Sequence, residues 1–142
     1  MSLKYFSLAE ANRTLPLVRR IVSDIVEEYR RWKEHVFRYE LVAAGSSATQ
    51  GESAEQLALR SEVDRSAQRI NNFVEELARV GCVFKGFDEG LVDFYSKRDD
   101  RDVFLCWKLG EQSIEYWHEV DTGFSGRQPL GPGVTTERSL TS

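Results

Sequence analysis

Five residues between positions 93 and 121 carry side chains that bind metal ions or move protons: Asp93, Cys106, His118, Glu119 and Asp121. Imidazole, thiolate and carboxylate are the ligand types that zinc and similar divalent ions prefer, and a catalytic zinc site needs only three. Residues 82–123 hold ten acidic and five basic side chains, a balance that attracts cations. The pattern predicts a divalent metal site, with zinc as the example, whose ligands come from His118, Glu119, Cys106 and Asp93.

Most of these residues also have a purely structural explanation. Cys106 lies between two large apolar residues and is typical of a small core side chain. His118 lies in an aromatic run, where a hydrogen-bonded structural histidine is common. Glu119 and Asp121 are typical of solvated charges or turn formers. The metal site and the structural interpretation therefore stay open together.

Asp93 is the least expected of the five, because it interrupts an apolar run that reads as a strand. A carboxylate buried among apolar side chains needs a partner, since an unpaired buried charge is costly. Arg127 or Lys108 can supply the opposite charge. The sequence thus predicts either an ion pair of structural origin at Asp93 or a functional role for its carboxylate.

Several familiar catalytic motifs are absent from the sequence. It contains no Walker-type phosphate loop, no His-Glu-x-x-His and no Cys-x-x-Cys, and Gly131-Pro132-Gly133 is not a dinucleotide fingerprint. The predicted helices carry no inward-facing Glu-x-x-His pair, which argues against a di-iron bundle. Glu115 and His118 have that spacing, but they lie in a predicted strand, where residues three apart face opposite sides.

Charge and hydropathy restrict the partners and the compartment. The net charge of −4 and the pI near 5.3 disfavour nucleic-acid binding. No apolar run approaches the roughly 18–20 residues that span a membrane. The N-terminus lacks the apolar core of a signal peptide, so we expect a cytoplasmic protein. In that compartment Cys82 and Cys106 are expected to stay unpaired.

Helical periodicity dominates the first 80 residues. Ser7 and Glu10 form a capping-box pattern at the start of a helix, and Pro16 predicts a short opening helix followed by a restart capped by Thr14. Apolar residues then recur at alternating spacings of three and four, a heptad pattern. They are Leu15, Val18, Val22, Ile25, Tyr29, Trp32, Val36 and Tyr39.

A second heptad pattern runs from Leu59 to Val80 and stops at Gly81, a typical residue just past a helix end. Residues 44–53 between the two patterns are small and polar and suit a loop. The sequence therefore predicts helices at about residues 8–43 and 54–80 that pack as an antiparallel hairpin, with the character of a coiled coil.

Beyond Gly81 the apolar pattern changes to period two, which is typical of strands. The predicted strands are Cys82–Phe87, Leu91–Tyr95, Val103–Lys108 and Ser113–Glu119, and the charged stretch Ser96–Asp102 is the predicted turn. Both faces carry apolar side chains and need covering. The helices can cover one face and a second copy of the chain the other.

The predicted fold class is α+β, a long antiparallel helical hairpin followed by a three- to four-stranded antiparallel sheet at about residues 82–119. We expect one domain over residues 1–123. Residues 124–142 are rich in Gly, Pro, Ser and Thr and predict an extended C-terminal tail.

Taken together, residues 5 to about 130 resemble a small uncharacterised bacterial family catalogued as domain of unknown function 2203. The resemblance rests on FSLAEANRTLPLV at 6–18, GLVDF at 90–94, LCWKLGE at 105–111, YWHE at 116–119 and GR at 126–127. The family has no assigned activity. It implies that the region around residues 105–127 is the place to look for a site, and it implies no mechanism.

Two functions remain open at this level. The first is a non-enzymatic oligomerisation or interaction module, most simply a homodimer, which the long heptad patterns and the two-sided apolar sheet favour. The second is a small metal-binding protein or metal-dependent hydrolase with a site around His118. The sequence favours the first, and it names no substrate for the second.

Overall fold

A computed structural model describes residues 4–45 and 51–131. It contains a helical hairpin followed by an antiparallel sheet of five strands, so the predicted α+β class is confirmed. The helices are α1 (Leu8–Ala44) and α2 (Ala54–Val80), and a short 3-10 helix spans Phe124–Gly126. The strands are β1 (Val83–Gly86), β2 (Leu91–Arg98), β3 (Arg101–Lys108), β4 (Tyr116–Glu119) and β5 (Gln128–Pro129).

Both long helices begin at a capping box. The Ser7 hydroxyl accepts from the Glu10 amide at 3.1 Å, and the Glu10 carboxylate accepts from the Ser7 amide at 2.8 Å, as predicted. Ser53 and Gln56 repeat the arrangement at the start of α2. The four amides of a first helical turn lack partners within the helix, so these side chains set where each helix begins.

The predicted helix break at Pro16 is wrong, because α1 runs through this residue without interruption. Thr14 does not cap a new helix; its hydroxyl donates to the Ala11 carbonyl at 2.7 Å. Pro16 is exposed while Leu15 is buried. Burial of the opposite face outweighs the cost of the proline.

The turn between β2 and β3 is much shorter than the predicted stretch Ser96–Asp102. The two strands continue to Arg98 and from Arg101, and only Asp99 and Asp100 connect them. Both have positive φ, 52° and 66°, the geometry of a type I′ hairpin turn. Such a turn needs only two residues, and aspartate tolerates this conformation better than most side chains.

One face of the sheet packs against the helices and forms the core. Its residues are Val92, Phe94, Val103, Leu105, Trp107 and Trp117, which join Leu15, Val18, Val22 and Ile25 of α1 in one buried cluster. Burial along α1 ends at Glu28, and the later heptad residues from Tyr29 to Tyr39 are half-buried. The hairpin therefore extends past the sheet, and we call residues 30–45 and 51–66 the distal hairpin.

The opposite face of the sheet is also buried at its centre, where it carries Asp93, Phe104, Cys106 and His118. From the sequence, a second copy of the chain was the predicted cover of this face. In the structure, residues 120–127 of the same chain lie over it, because Phe124 lines the same cavity as these side chains.

The first part of the predicted tail contacts the rest of the domain. The Leu130 amide donates to the Glu115 carbonyl at 2.8 Å, and the Leu130 side chain is buried. Residues 132–142 lie outside the described part of the chain. The predicted domain boundary after residue 123 stays a prediction.

Candidate metal centre

Three of the predicted ligands meet on the outer face of the sheet. Asp93 lies on β2, Cys106 on β3 and His118 on β4, which are neighbouring strands. Asp93 pairs directly with Cys106 in the register, and His118 pairs with Phe104, two residues earlier on β3. One ligand atom from each of the three lies within 4.8 Å of the others. Among the side chains of metal-ligand type in residues 4–45 and 51–131, these three form the group that lies close together.

Strand alternation places these side chains on one face. Val92 and Phe94 point into the helix-side core, so Asp93 between them points to the outer face. The same alternation directs Cys106 outward between Leu105 and Trp107. The period-two pattern thus selects the face, while the register between strands decides which outward residues are neighbours.

His118 holds Asp93 through a hydrogen bond that both carboxylate oxygens share. The distance from Nε2 of His118 is 3.1 Å to each oxygen. Nδ1 of His118 lies 2.7 Å from the Glu119 carbonyl oxygen. A carbonyl only accepts, so Nδ1 carries a hydrogen. One proton then lies between Nε2 and Asp93, giving either a charged ion pair or a neutral pair.

Burial governs the ionisation of the other two candidate ligands, Asp93 and Cys106. Asp93 is only 3 % exposed, and burial raises the pKa of its carboxyl, while His118 and the more distant Lys85 oppose this rise in part. Burial, together with the neighbouring Asp93, raises the pKa of the Cys106 thiol to about 12. Without a bound cation, Cys106 is a protonated thiol at neutral pH and a poor nucleophile.

A cavity of about 210 Å³ lies against the three side chains. Its wall also contains Lys85, Leu91, Phe104, Val120 and Phe124. The Lys85 ammonium lies 5.4 Å from the centre of the Phe104 ring, so the cavity combines apolar walls with one positive side chain. Sequence reasoning missed Lys85 and Phe124 as site residues. No motif marks them, and only the fold brings them to the cavity.

Glu119 and Asp121 do not join the cluster. The Glu119 carboxylate accepts from Arg101 at 2.7 Å, and its contribution to the site is the backbone carbonyl that accepts from His118. Asp121 is exposed in the turn after β4. Neighbouring strand residues point to opposite faces, so His118 and Glu119 do not both reach the cluster.

The predicted charged partners of Asp93 are wrong. Arg127 pairs with Glu111 at 2.9 Å and donates to the Cys106 carbonyl at 3.4 Å, while the Lys108 ammonium lies over the Phe124 ring. The partner of Asp93 is His118. Arg127 instead ties the segment after β4 to the backbone of β3, which helps to hold the cover over the site.

The two cysteines are both free and buried. Cys82 lies at the end of α2, where its thiol contacts the Leu77 carbonyl at 3.5 Å, and burial raises the pKa of its thiol to about 12. It is not among the converging ligands. Cys82 therefore provides a natural comparison for Cys106.

A family model described as an uncharacterized conserved protein (DUF2203) matches residues 4–130. The matched range contains every helix and strand described above, together with Asp93, Cys106 and His118. No curated protein and no solved structure matches the chain. Over the described residues, neither helix is long and apolar enough to cross a membrane.

Proposed function

The chain belongs to the DUF2203 family, and because the description of that family names no activity, we propose a function from the site itself. We propose that the protein binds one divalent metal ion, with zinc favoured by the donor set, through Asp93, Cys106 and His118. The observation that carries the proposal is the convergence of these three buried donors within 4.8 Å, next to a cavity.

The spacing of Asp93 and His118 is close to that of two ligands in a zinc site, and the Cys106 thiol lies within 4.8 Å of both. Zinc–ligand bonds of about 2.0–2.3 Å in a tetrahedral site hold the ligand atoms roughly 3.3–3.8 Å apart. In the structure, Nε2 of His118 and the Asp93 oxygens are 3.1 Å apart. A shift of a few tenths of an ångström, well within side-chain adjustment, opens this pair enough to admit the ion.

The charges and the hydrogen bonds around the site also support a metal. A carboxylate, a thiolate and a neutral imidazole balance a dication, so the occupied site carries no net charge in a buried place. The Glu119 carbonyl accepts from Nδ1 of His118 and leaves Nε2 for the metal. Such an outer hydrogen bond is the usual way in which a metal-binding histidine is oriented.

A zinc ion held by Asp93, Cys106 and His118 would supply a nucleophilic water near neutral pH, so hydrolysis is the reaction class that we propose for an enzymatic role. The cavity of about 210 Å³ admits a small molecule and excludes a folded macromolecule. The positive Lys85 in its wall favours a substrate with negative charge.

The test is the metal content of untagged protein that is purified without added metal, with Cys106→Ala and Cys82→Ala as matched variants. We expect about one zinc per chain in the wild type and in Cys82→Ala, and a loss of at least tenfold in zinc affinity in Cys106→Ala. Both variants remove a buried thiol, so a general loss of packing affects them alike. A wild-type protein that takes up no stoichiometric metal, even from added zinc, contradicts the proposal.

A non-enzymatic interaction module is the second candidate function, and one observation favours it. Phe37, Leu41 and Leu57 on the distal hairpin are more than half exposed, and large exposed apolar side chains in one region are typical of interaction surfaces. Native mass separates this candidate from a metal-only function. For either function we propose a cytosolic location, the compartment in which the free thiols Cys82 and Cys106 would stay reduced.

A further inference from the structure

The cavity at the candidate metal centre has a positive charge in its wall, the ammonium group of Lys85. Other lysines of the chain have acidic partners. Lys33 pairs with Asp88 at 3.1 Å, and Lys97 pairs with Asp102 at 2.7 Å. In the part of the chain that the structure describes, Lys85 forms no such salt bridge. Its ammonium is therefore available to a bound molecule.

The backbone of β1 directs Lys85 over the outer face of the sheet. The register between β1 and β2 shifts between Phe84 and Gly86, so Lys85 is the extra residue of a β-bulge. Bulges often lie beside functional sites, where they change the direction of a side chain. The Lys85 ammonium lies 5.4 Å from the centre of the Phe104 ring on β3, and β2 separates β1 from β3. The side chain therefore reaches across β2 to the cavity, with its charge on the solvent-exposed side.

The cavity carries one excess positive charge with or without a metal. In the metal-free protein, Asp93 and His118 share one proton and are neutral as a pair in either arrangement, while Cys106 is a free thiol. A bound dication would be balanced by the Asp93 carboxylate and the Cys106 thiolate. Lys85 adds the same positive charge in both states. A ligand with a single negative charge therefore matches the cavity.

The rest of the cavity wall limits the size and the polarity of such a ligand. Leu91, Phe104, Val120 and Phe124 are apolar and form much of the wall. The volume of about 210 Å³ is below the roughly 300–1,000 Å³ of sites that hold drug-sized molecules. The matching ligand is thus a small molecule with one negative group and an apolar body.

A carboxylate fits this cavity better than a phosphate does. A phosphate monoester carries a charge of about −1.5 to −2 at pH 7, which exceeds the single positive charge and leaves negative charge without a partner in a largely enclosed place. Phosphate sites also commonly contain arginine, and no arginine is among the described residues of the cavity wall. A carboxylate carries one negative charge at neutral pH.

We propose that Lys85 binds the carboxylate of a small, mostly apolar carboxylic acid in this cavity. The carboxylate lies beside the ammonium group, and the apolar body packs against Phe104 and Phe124. The substrate class rests on the proposed function: a hydrolase with this site acts on a small molecule that carries a free carboxylate besides the bond that is cleaved. The contact with Lys85 itself needs no metal, so it is tested in metal-free protein as well.

Benzoate is the probe, since it carries one carboxylate on an apolar ring, and benzamide has nearly the same shape without the charge. Each is titrated into the isotope-labelled full chain at low ionic strength, and the NMR shifts of the backbone amides give the dissociation constant. The series is run with added zinc and in protein from which metal and chelator have been removed by dialysis. We expect a dissociation constant of about 1 mM for benzoate and one at least about fivefold higher for benzamide, with shifts at Phe104 and Phe124.

Lys85→Gln and Lys97→Gln are the matched variants. Both remove one positive charge from a lysine near an aromatic ring, because the Lys97 ammonium lies 4.8 Å from the centre of the Tyr5 ring, but Lys97 does not line the cavity. We expect Lys85→Gln to raise the dissociation constant of benzoate by at least about fivefold and Lys97→Gln to change it by less than about twofold. Lys85→Arg keeps the charge and should stay within about threefold of the wild type.

Several results would overturn the proposal: equal dissociation constants for benzoate and benzamide, equal effects of the two glutamine variants, or no binding at about 50 mM benzoate. Phenyl phosphate is the third probe, and tighter binding of this dianion than of benzoate would overturn the choice of a carboxylate.

The zinc content judges the metal site separately. Binding that depends on Lys85 in a protein that takes up no zinc supports the carboxylate contact and contradicts the metal site. Zinc uptake without binding that depends on Lys85 overturns the carboxylate contact and leaves the metal site standing.

Discussion

Nε2 of His118 lies 3.1 Å from each of the two carboxylate oxygens of Asp93. The residues are 25 positions apart in the sequence and on strands that are not neighbours, with β3 between them. Both are almost completely buried, at 2 % and 3 % exposure. In the metal-free protein each side chain is the hydrogen-bond partner of the other. A bound metal would replace the shared proton, so under the proposed function the same pair would form a stable empty state and would supply two ligands.

Removal of the histidine is therefore expected to destabilise the metal-free protein. His118→Ala leaves the Asp93 carboxyl buried without its partner, and we expect a loss of about 3 kcal/mol in the free energy of unfolding. Urea unfolding in the presence of a chelator measures it. Asp93→Ala and the double variant complete a double-mutant cycle, in which the double change costs less than the two single losses together. Additive losses would show that the two side chains are not coupled.

A second buried carboxylate joins the two helices. Glu28 accepts from Arg69 through two contacts of 3.2 Å each. Burial opposes ionisation of Glu28, but the hydrogen bonds and the charge of Arg69, with the charge of Arg31, lower the pKa of this carboxyl. A lowered pKa stabilises the folded state above the ordinary value of 4.5, and this contribution is lost as the pH falls through the folded-state pKa.

We expect Glu28→Gln to lower the free energy of unfolding by about 2 kcal/mol at pH 7. The difference from the wild type should shrink as the pH falls from 4.5 through the lower folded-state pKa of Glu28, because below that pKa both folded proteins are uncharged at this position. Denaturant unfolding between pH 7 and pH 3 measures the difference. Glu27→Gln is the control: its exposed pair with Arg30 lies within one helix and, being screened by solvent, contributes little to stability. A constant Glu28→Gln effect at all pH values would be inconsistent with this assignment.

Two glycines with positive φ allow the energetic cost of backbone strain to be measured apart from the cost of a steric clash. Gly90 has φ 72°, and a Cβ there would lie 2.8 Å from Cγ1 of Val22 and 2.9 Å from Cβ of Leu109. Gly110 has φ 106° with no atom within 4 Å of its Cβ position. We expect Gly110→Ala to cost about 1 kcal/mol, through strain alone, and Gly90→Ala about 3 kcal/mol. Thermal unfolding of the two variants measures both, and equal losses would mean that the contact of β2 with α1 is not close.

Substitutions in the hairpin turn between β2 and β3 are expected to stabilise the protein. Asp99 and Asp100 adopt positive φ at some cost, and type I′ turns favour Asn-Gly at these positions. The double change Asp99→Asn and Asp100→Gly is expected to raise the free energy of unfolding by about 1 kcal/mol. The melting temperature measures it. Asp121→Gly, an exposed aspartate without positive φ, is the control and should bring no gain. A lower melting temperature in the turn variant would exclude this turn type.

Much of the fold was predictable because it depends on neighbours along the chain. The Ser7–Glu10 capping box, the heptad spacing and the left-handed Gly81 at the end of α2 all involve residues within four or five positions of each other. The two errors in this part have a common origin. At Pro16, contacts with the core outweigh the local preference of proline. At the Asp99–Asp100 turn, pairing with neighbouring strands extends β2 and β3 into a charged stretch that reads locally as a loop.

The site was predictable by residue type and only in part by position. Asp93, Cys106 and His118 were selected for their ligand chemistry, and the structure brings them together. Glu119 was selected for the same reason. Because neighbouring strand residues point to opposite faces, its carboxylate points away from the cluster and accepts from Arg101. Cavity-wall residues such as Lys85 and Phe124 carry no chemical signature in the sequence, because an ordinary lysine or phenylalanine becomes part of a site only through its surroundings.

The sequence by itself determined the helical hairpin, the change to strands after Gly81 and a set of four candidate metal ligands, Asp93, Cys106, His118 and Glu119, since these follow from local spacing and from side-chain chemistry. The tertiary structure alone decided that Asp93, Cys106 and His118 are neighbours, because their distances depend on the register of three strands and a single-residue slip turns each side chain to the other face. It also decided that residues 120–127 cover them and that the distal hairpin is left uncovered. Both outcomes depend on contacts between segments far apart in the chain, which no local pattern encodes.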